Sequence, residues 1–112
     1  MAAHSGSSHF KWQRLTAILL LPLTLYLVLL LVSLVGADFE TARTRLAIPV
    51  IWLPMFALVL AGVWHMWLGM QVIIDDYAKD GLRKALQVLS SVFSCAVVLV
   101  ALYAIYQLSI GA

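Results

Sequence analysis

Three side chains in the middle of this chain are suited to chemistry: His65, Asp76 and Tyr77. His65 is the one histidine inside a long apolar stretch, and Asp76 and Tyr77 follow it by 11 and 12 residues, where that stretch ends. An ionisable side chain in hydrocarbon is costly and usually faces a partner. A neutral imidazole is a common metal ligand, and a carboxyl group can relay protons. The spacing therefore predicts a functional site within an apolar segment.

Membrane-spanning helices are the elements that must position these residues. The chain has 112 residues, of which 64% are hydrophobic and 11% charged, and its mean hydropathy is +1.04. Three apolar runs, residues 15–35, 48–74 and 85–110, are each long enough to cross a bilayer core that needs roughly 20 helical residues. The tail, residues 1–14, and the connections, 36–47 and 75–84, are too short to fold alone. We predict a single all-α membrane domain, residues 1–112, with three transmembrane helices.

Basic residues near the ends of these runs predict the orientation, because Lys and Arg concentrate on the cytoplasmic side. The tail and the second connection together carry five of the seven basic residues, and the first connection carries the other two, Arg43 and Arg45. We therefore place the N-terminus in the cytoplasm and the C-terminus outside. These flanking residues account for the net charge of +2, so nucleic-acid binding is not expected. In the second connection, Asp80 is the expected N-cap of the third helix.

A single stripe of the second helix would carry Gly62, His65, Gly69, Val72 and Asp76. The two glycines remove side-chain bulk on either side of the histidine, which would let a flat macrocycle lie against the backbone while the imidazole reaches its metal. The same glycines form a small-residue pattern that permits close helix packing, and an intramembrane histidine is often a hydrogen-bonded packing residue. The spacing leaves both interpretations open.

Haem ligation by His65 would require a partner chain. A six-coordinate b-type haem needs a second axial ligand, and the other histidines, His4 and His9, belong to the polar tail. The second ligand should then come from another polypeptide. Arg14 opens the first run on the side where the second run ends. Its guanidinium could pair buried haem propionates, or it could be a topology anchor that reaches the lipid headgroups.

Asp76 and Tyr77 lie where a quinone could bind. Along a helix, Asp76 is about 16 Å from His65, which is roughly half a bilayer. A quinone headgroup at that interface could accept a hydrogen bond from the Tyr77 hydroxyl, and Asp76 could relay protons to the reduced quinone. Alternatively, Tyr77 belongs to an aromatic belt and Asp76 is a solvated charge at a helix end. Asp75 has no distinct assignment.

The segment from His65 to Tyr77, HMWLGMQVIIDDY, closely resembles the second-helix motif of the succinate dehydrogenase membrane-anchor D subunit, in which His, Trp, Gly and Met precede Asp-Tyr. The segment RLTAI, which begins at Arg14, resembles the start of that family's first helix. Three spans in about this length, with a cytoplasmic N-terminus, fit the same subunit across the whole chain.

The resemblance implies site residues, cofactors and partners. His65 would be one axial ligand of haem b, Arg14 would lie near the propionates, and Tyr77 and Asp76 would form part of the site for ubiquinone or menaquinone. The three helices would pack with a second membrane-anchor subunit (C), which supplies the other haem ligand, into a helical bundle around haem b. An iron–sulfur subunit and a flavoprotein subunit would complete the assembly on the bacterial cytoplasmic (inner) membrane.

This chain is not expected to oxidise succinate itself, because it has no dinucleotide fingerprint and no cysteine cluster. Succinate oxidation would take place at the flavin, and quinone reduction at the cytoplasmic face of the anchor. Two other classes stay open. A cytochrome b subunit of another quinone-linked dehydrogenase would be expected to carry further intramembrane histidines, and in a non-redox membrane scaffold His65 would only pack.

Overall fold

A computed structural model of the chain describes the backbone of residues 2–110 and the side chains of residue 8 and residues 10–110. Residues 2–110 form four helices and no strand: α1 (Ala2–Leu34), α2 (Phe39–Leu46), α3 (Pro49–Tyr77) and α4 (Asp80–Ser109). Three segments are long and apolar enough to cross a membrane, namely Phe10–Leu34 within α1, and the whole of α3 and α4. The prediction of three transmembrane helices is confirmed. The side chains of His4 and His9 lie outside the described residues.

The long helices extend beyond their apolar runs. α1 begins at Ala2, well before residue 15, and α3 continues to Tyr77. Only Ala78 and Lys79 separate α3 from α4, so most of the expected second connection is helical. Hydropathy marks where a helix lies in hydrocarbon, whereas backbone hydrogen bonds can continue the helix into the interface and into water. Part of the tail and most of the second connection are therefore helical.

The prediction that Asp80 is an N-cap is wrong. Lys79 occupies the N-cap position of α4 with an extended backbone, and no side-chain hydrogen bond caps the helix. Asp80 is the first helical residue and has a φ of 54°. The chain must reverse its direction within two residues, and Asp adopts the left-handed region more readily than most residues. Asp80 therefore provides the left-handed backbone conformation with which the chain turns from α3 into α4.

The helix α3 lies between α1 and α4 and packs against both. Against α1, the Tyr26 hydroxyl donates to the carbonyl oxygen of Ile51 at 2.7 Å. Against α4, the Trp67 indole N–H donates to the Ser91 hydroxyl at 3.1 Å. Successive long helices run antiparallel, so the start of α1, the end of α3 and the start of α4 share one end of the bundle. We predict that this end is cytoplasmic.

At the opposite end, two arginines of α2 hold the last turns of α1 and α4. The Arg45 guanidinium donates to the carbonyl oxygen of Ser33 at 3.0 Å, and Arg43 donates to that of Gln107 at 3.2 Å. The last carbonyls of a helix lack intrahelical partners and carry the negative end of its dipole. Both basic residues that we place outside therefore have a structural role as helix caps.

Asp38 begins α2, because its carboxylate accepts a hydrogen bond from the Thr41 backbone N–H at 2.9 Å. Hydrogen bonds from the side chain and backbone of Thr41 lower the pKa of Asp38 below its ordinary value of 3.8. A lowered folded-state pKa means that this cap is fully present above the ordinary value and is lost as the pH falls through the folded-state pKa. The cap of α2 is thus intact at neutral pH.

Candidate functional site

His65 lies on the face of α3 that packs against α1. Its Nδ1 atom is 2.9 Å from the hydroxyl oxygen of Thr16. Thr16 is only 5% exposed, and the same oxygen lies 2.7 Å from the carbonyl oxygen of Trp12 and 3.1 Å from that of Gln13. A helical Thr hydroxyl ordinarily donates its one hydrogen to a carbonyl three or four residues earlier. Its lone pairs are then available to the histidine ring.

The two glycines of the predicted stripe also face α1. A Cβ atom on Gly69 would lie 3.4 Å from the side-chain nitrogen of Gln13, and one on Gly62 would lie 3.9 Å from a methyl carbon of Leu20. The structure thus favours the packing interpretation of these glycines. Both distances are ordinary van der Waals contacts, so the two glycines lie within the packed interface between α1 and α3 that also holds the hydrogen bond.

Two tryptophans add a further contact at the same level of the bundle. The rings of Trp12 and Trp64 lie 5.1 Å apart with an interplanar angle of 30°. Trp12 also provides the carbonyl oxygen nearest the Thr16 hydroxyl, and Trp64 directly precedes His65. The ring contact and the hydrogen bond therefore hold the same short stretches of α1 and α3 together.

Arg14 lies at nearly the depth of His65 but does not contact it. Two residues, or about 3 Å of helix rise, separate Arg14 from Thr16. At about 100° per residue, Arg14 points away from the α1 face that meets α3. Its side chain is exposed, and its guanidinium carbon lies 5.6 Å from the centroid of the Phe10 ring. The guanidinium is open to an anionic group beside α1.

Asp76 and Tyr77 are the last two residues of α3, and both are exposed. The helix is continuous from His65 to Tyr77, which supports a separation of about 16 Å between the histidine and Asp76. Tyr77 is 83% exposed, so its hydroxyl is open to a ligand or to another subunit. The predicted haem ligand and the predicted quinone contacts therefore lie on one helix, at two separate positions.

Tyr77 lines an open groove between α3 and α4, with a volume of about 490 Å³. The groove extends from Tyr77 and Leu82, near the turn between the helices, to Met66 and Phe93. The lining side chains are apolar apart from Tyr77 and Ser90. Its volume is in the range of small-molecule sites, roughly 300–1,000 Å³. The groove thus offers the Tyr77 hydroxyl near one end and mostly apolar walls along its length.

Asp75, which had no assignment from the sequence, joins α3 to α4 beside this groove. Arg83 donates to one carboxylate oxygen of Asp75 from Nε at 3.1 Å and from Nη2 at 2.8 Å, and Gln87 donates to it at 3.4 Å. The Arg83 and Asp75 side chains are 50% and 44% exposed, so their ion pair contributes only about 0–1 kcal/mol. Its effect is geometric, since it ties the end of α3 that carries Tyr77 to the start of α4.

Sequence reasoning thus missed two residues that organise this region, Thr16 and Asp75. Thr16 belongs to the segment RLTAI that carries the resemblance. Hydroxyl side chains in apolar helices commonly bond their own backbone, so the segment alone did not indicate a contact with His65. The position of Asp75 four residues before Lys79 and eight before Arg83 was a weak signal for a salt bridge. Only the two-residue turn between α3 and α4 shows which basic residue it meets.

The fold and this arrangement define a class of protein: a small helical membrane protein with several spans, in which few residues are buried and most large apolar side chains face outward. Such a surface is suited to lipid or to the helices of a partner. Polar contacts between helices lie at the histidine, at the end of α3 and at the opposite end of the bundle.

Comparison with known proteins narrows this class. The family model for the succinate dehydrogenase/fumarate reductase transmembrane subunit matches residues 1–105. Three similar proteins are each named succinate dehydrogenase hydrophobic membrane anchor subunit. The one from Rickettsia bellii is 31% identical over 106 residues, which cover 94% of this chain and 85% of the relative. The one from Paracoccus denitrificans is 30% identical over 111 residues, covering 99% and 86%. The one from Rickettsia felis is 31% identical over 101 residues, covering 89% and 83%.

No solved structure matches the chain. The family match and these relatives nevertheless cover most of its length, and the chain belongs to the succinate dehydrogenase/fumarate reductase transmembrane subunit family. The resemblance carried by the segments at Arg14 and His65 is thereby confirmed. The function is that of a succinate dehydrogenase membrane-anchor subunit, which works in the membrane with the other subunits of the complex. The Rickettsia and Paracoccus relatives are consistent with a bacterial inner membrane.

Proposed function

We propose that this anchor subunit co-ligates haem b through His65 and completes a quinone-reduction site through Tyr77 and Asp76. The observation that carries the haem part is the 2.9 Å contact between His65 Nδ1 and the Thr16 hydroxyl. If Nδ1 carries the ring proton and donates it to Thr16, Nε2 keeps its lone pair. A neutral imidazole in that form is the one that binds iron.

The residues present fit a shared haem. His65 would bind its iron, and the second membrane-anchor subunit would supply the other ligand, because the remaining histidines of this chain lie in its first nine residues. When bound, haem b supplies one-electron redox chemistry within the membrane. The role of His65 is to position that group between the two subunits, while the surrounding apolar helices exclude water.

Arg14 is proposed to pair the haem propionates, because its exposed guanidinium lies at nearly the depth of His65. An Arg14→Gln complex should contain less haem, or hold it at a more negative midpoint potential, because a positive charge near the group favours its reduced form. Redox titration and the ratio of haem to protein measure both effects. Lys11→Gln, which removes another exposed positive charge from α1, serves as the control. Unchanged haem content and potential would leave Arg14 only a role in anchoring the helix.

The quinone part is supported by Tyr77 and the groove that it lines. A quinone joins a polar headgroup to an apolar chain. The Tyr77 hydroxyl can donate to a carbonyl oxygen of the headgroup and stabilise the negative charge that develops there. The apolar walls of the groove suit the chain. Asp76 is exposed at the end of the same helix, where it can take protons from water and pass them to the reduced quinone.

Electrons would reach this site from partner subunits. In the proposed assembly, a flavoprotein subunit takes two electrons from succinate, and an iron–sulfur subunit passes them to ubiquinone or menaquinone at the cytoplasmic face. The quinone takes up two protons as it becomes the quinol. The end of the bundle that carries Asp76 and Tyr77 has three basic residues close by, Lys79, Arg83 and Lys84, which supports a cytoplasmic location.

Isolation of the native complex tests this function. Mass spectrometry should identify a second anchor subunit, an iron–sulfur subunit and a flavoprotein subunit, and the reduced-minus-oxidised absorbance spectrum should show haem b. A complex with these partners and no Soret band would contradict haem ligation. A chain isolated without any redox partner would instead support a non-redox scaffold.

A further inference from the structure

We propose that Thr16 is a positioning residue for the haem ligand: it selects the tautomer of His65 that leaves Nε2 free, and it sets the electron-donating strength of the ring. This inference rests on the proposed haem ligation. It adds Thr16 of α1 to the predicted site, in which the iron ligand His65 lies on α3 and Arg14 on α1.

The hydrogen-bond geometry assigns the proton. Thr16 Oγ1 has one hydrogen, and its shortest contact is with the carbonyl oxygen of Trp12 at 2.7 Å. With that hydrogen directed to the backbone, the oxygen can only accept from the ring nitrogen at 2.9 Å. Nδ1 of His65 must then carry the proton of the neutral imidazole. Because Thr16 is 5% exposed, water competes little for the same oxygen.

Neighbouring contacts make this hydrogen bond rigid. On one side of it, the Trp64 ring packs on the Trp12 ring at 5.1 Å. On the other side, the Gln13 side chain packs beside Gly69, where a Cβ atom would lie 3.4 Å from its nitrogen. These contacts keep α1 and α3 at the separation at which the hydrogen bond forms, and the hydrogen bond restricts rotation of the histidine ring. Such restraint holds Nε2 in one direction.

The same hydrogen bond changes the chemistry of the ring. An N–H that donates from Nδ1 raises the basicity of an imidazole ligand. A more basic ligand gives more electron density to the iron and favours its oxidised state. Thr16 should thus keep the midpoint potential of the haem lower than it would be without the hydroxyl.

Thr16→Val tests this role, because valine keeps the shape of the side chain and removes the hydroxyl. In the complete complex, we expect a more positive midpoint potential and a loss of haem affinity of about 10–100-fold, as is typical of a lost partner to a metal-binding histidine. Thr16→Ser keeps the hydroxyl and should behave as the wild type. Thr24→Val is the matched control, since Thr24 is exposed on the same helix. Potentiometric titration and haem content provide the readouts.

A Thr16→Val complex with wild-type potential and haem content would overturn the inference, and so would lower thermal stability with an unchanged potential. A Thr16→Ser complex that matches Thr16→Val would also overturn it, because the methyl group would then be what matters. If Thr16→Val does not assemble, Thr16→Cys replaces it, and its weaker acceptor should also raise the potential relative to Thr16→Ser. A wild-type complex without haem would instead defeat the proposed ligation itself.

Discussion

A complex carrying His65→Ala should retain far less haem b than the wild type, or hold it with a changed absorbance spectrum and midpoint potential. The substitution removes one of the two proposed iron ligands, and the neighbouring stripe positions Gly62 and Gly69 have no side chain that could replace it. The loss of affinity should exceed the roughly 10–100-fold typical of a lost second-shell partner. Haem content, the spectrum and redox titration of the purified complex measure it.

His9→Ala is the control for this experiment, because it removes an imidazole from the polar tail. Added imidazole offers a second check, since a small ligand that enters the space left by the side chain should restore part of the wild-type spectrum. Succinate oxidation with an artificial acceptor should continue in the variant if the partner subunits are intact. An unchanged spectrum, haem content and potential would show that His65 only packs against α1.

The second large effect is expected from Tyr77→Phe, which should slow quinone reduction by about 10–100-fold. The change removes the hydroxyl and keeps the ring, so it deletes one hydrogen bond to a group that gains negative charge, worth about 1.5–3 kcal/mol. Because Tyr77 is 83% exposed, its ring makes few contacts that the substitution could disturb. Steady-state rates with a quinone acceptor measure the effect, and rates with an artificial acceptor should stay at the wild-type level.

Tyr106→Phe is the matched control. Tyr106 is also exposed, but it lies near the end of α4 that is far from Tyr77. Quinones with long and short chains should be affected equally by Tyr77→Phe, since the hydroxyl is proposed to contact the headgroup. An effect confined to long-chain quinones would place Tyr77 beside the chain. Wild-type rates with every quinone would show that the site lies elsewhere and that Tyr77 is an interfacial anchor.

The number of membrane-spanning helices could be predicted because a bilayer leaves the backbone few choices. Each spanning segment must satisfy its own peptide hydrogen bonds, so about 20 apolar residues predict a helix whatever its neighbours are. The ends of the helices were less predictable. Asp75, Asp76 and Tyr77 look like part of a polar connection in the sequence, yet they are helical in the structure, because hydropathy reports the surroundings of a residue and not its backbone conformation.

For the candidate site, the sequence by itself determined how far apart His65, Asp76 and Tyr77 would lie along one helix, because helical rise depends only on residue number. The structure showed that the helix continues to Tyr77. Only the tertiary structure decided which residues of the other helices contact this part of α3. Thr16 is 49 residues from His65 along the chain, and Arg83 meets Asp75 across a reversal of the chain between two helices. Which face of a helix meets which neighbour depends on side-chain packing over the whole interface, and periodicity within one helix has no information about it.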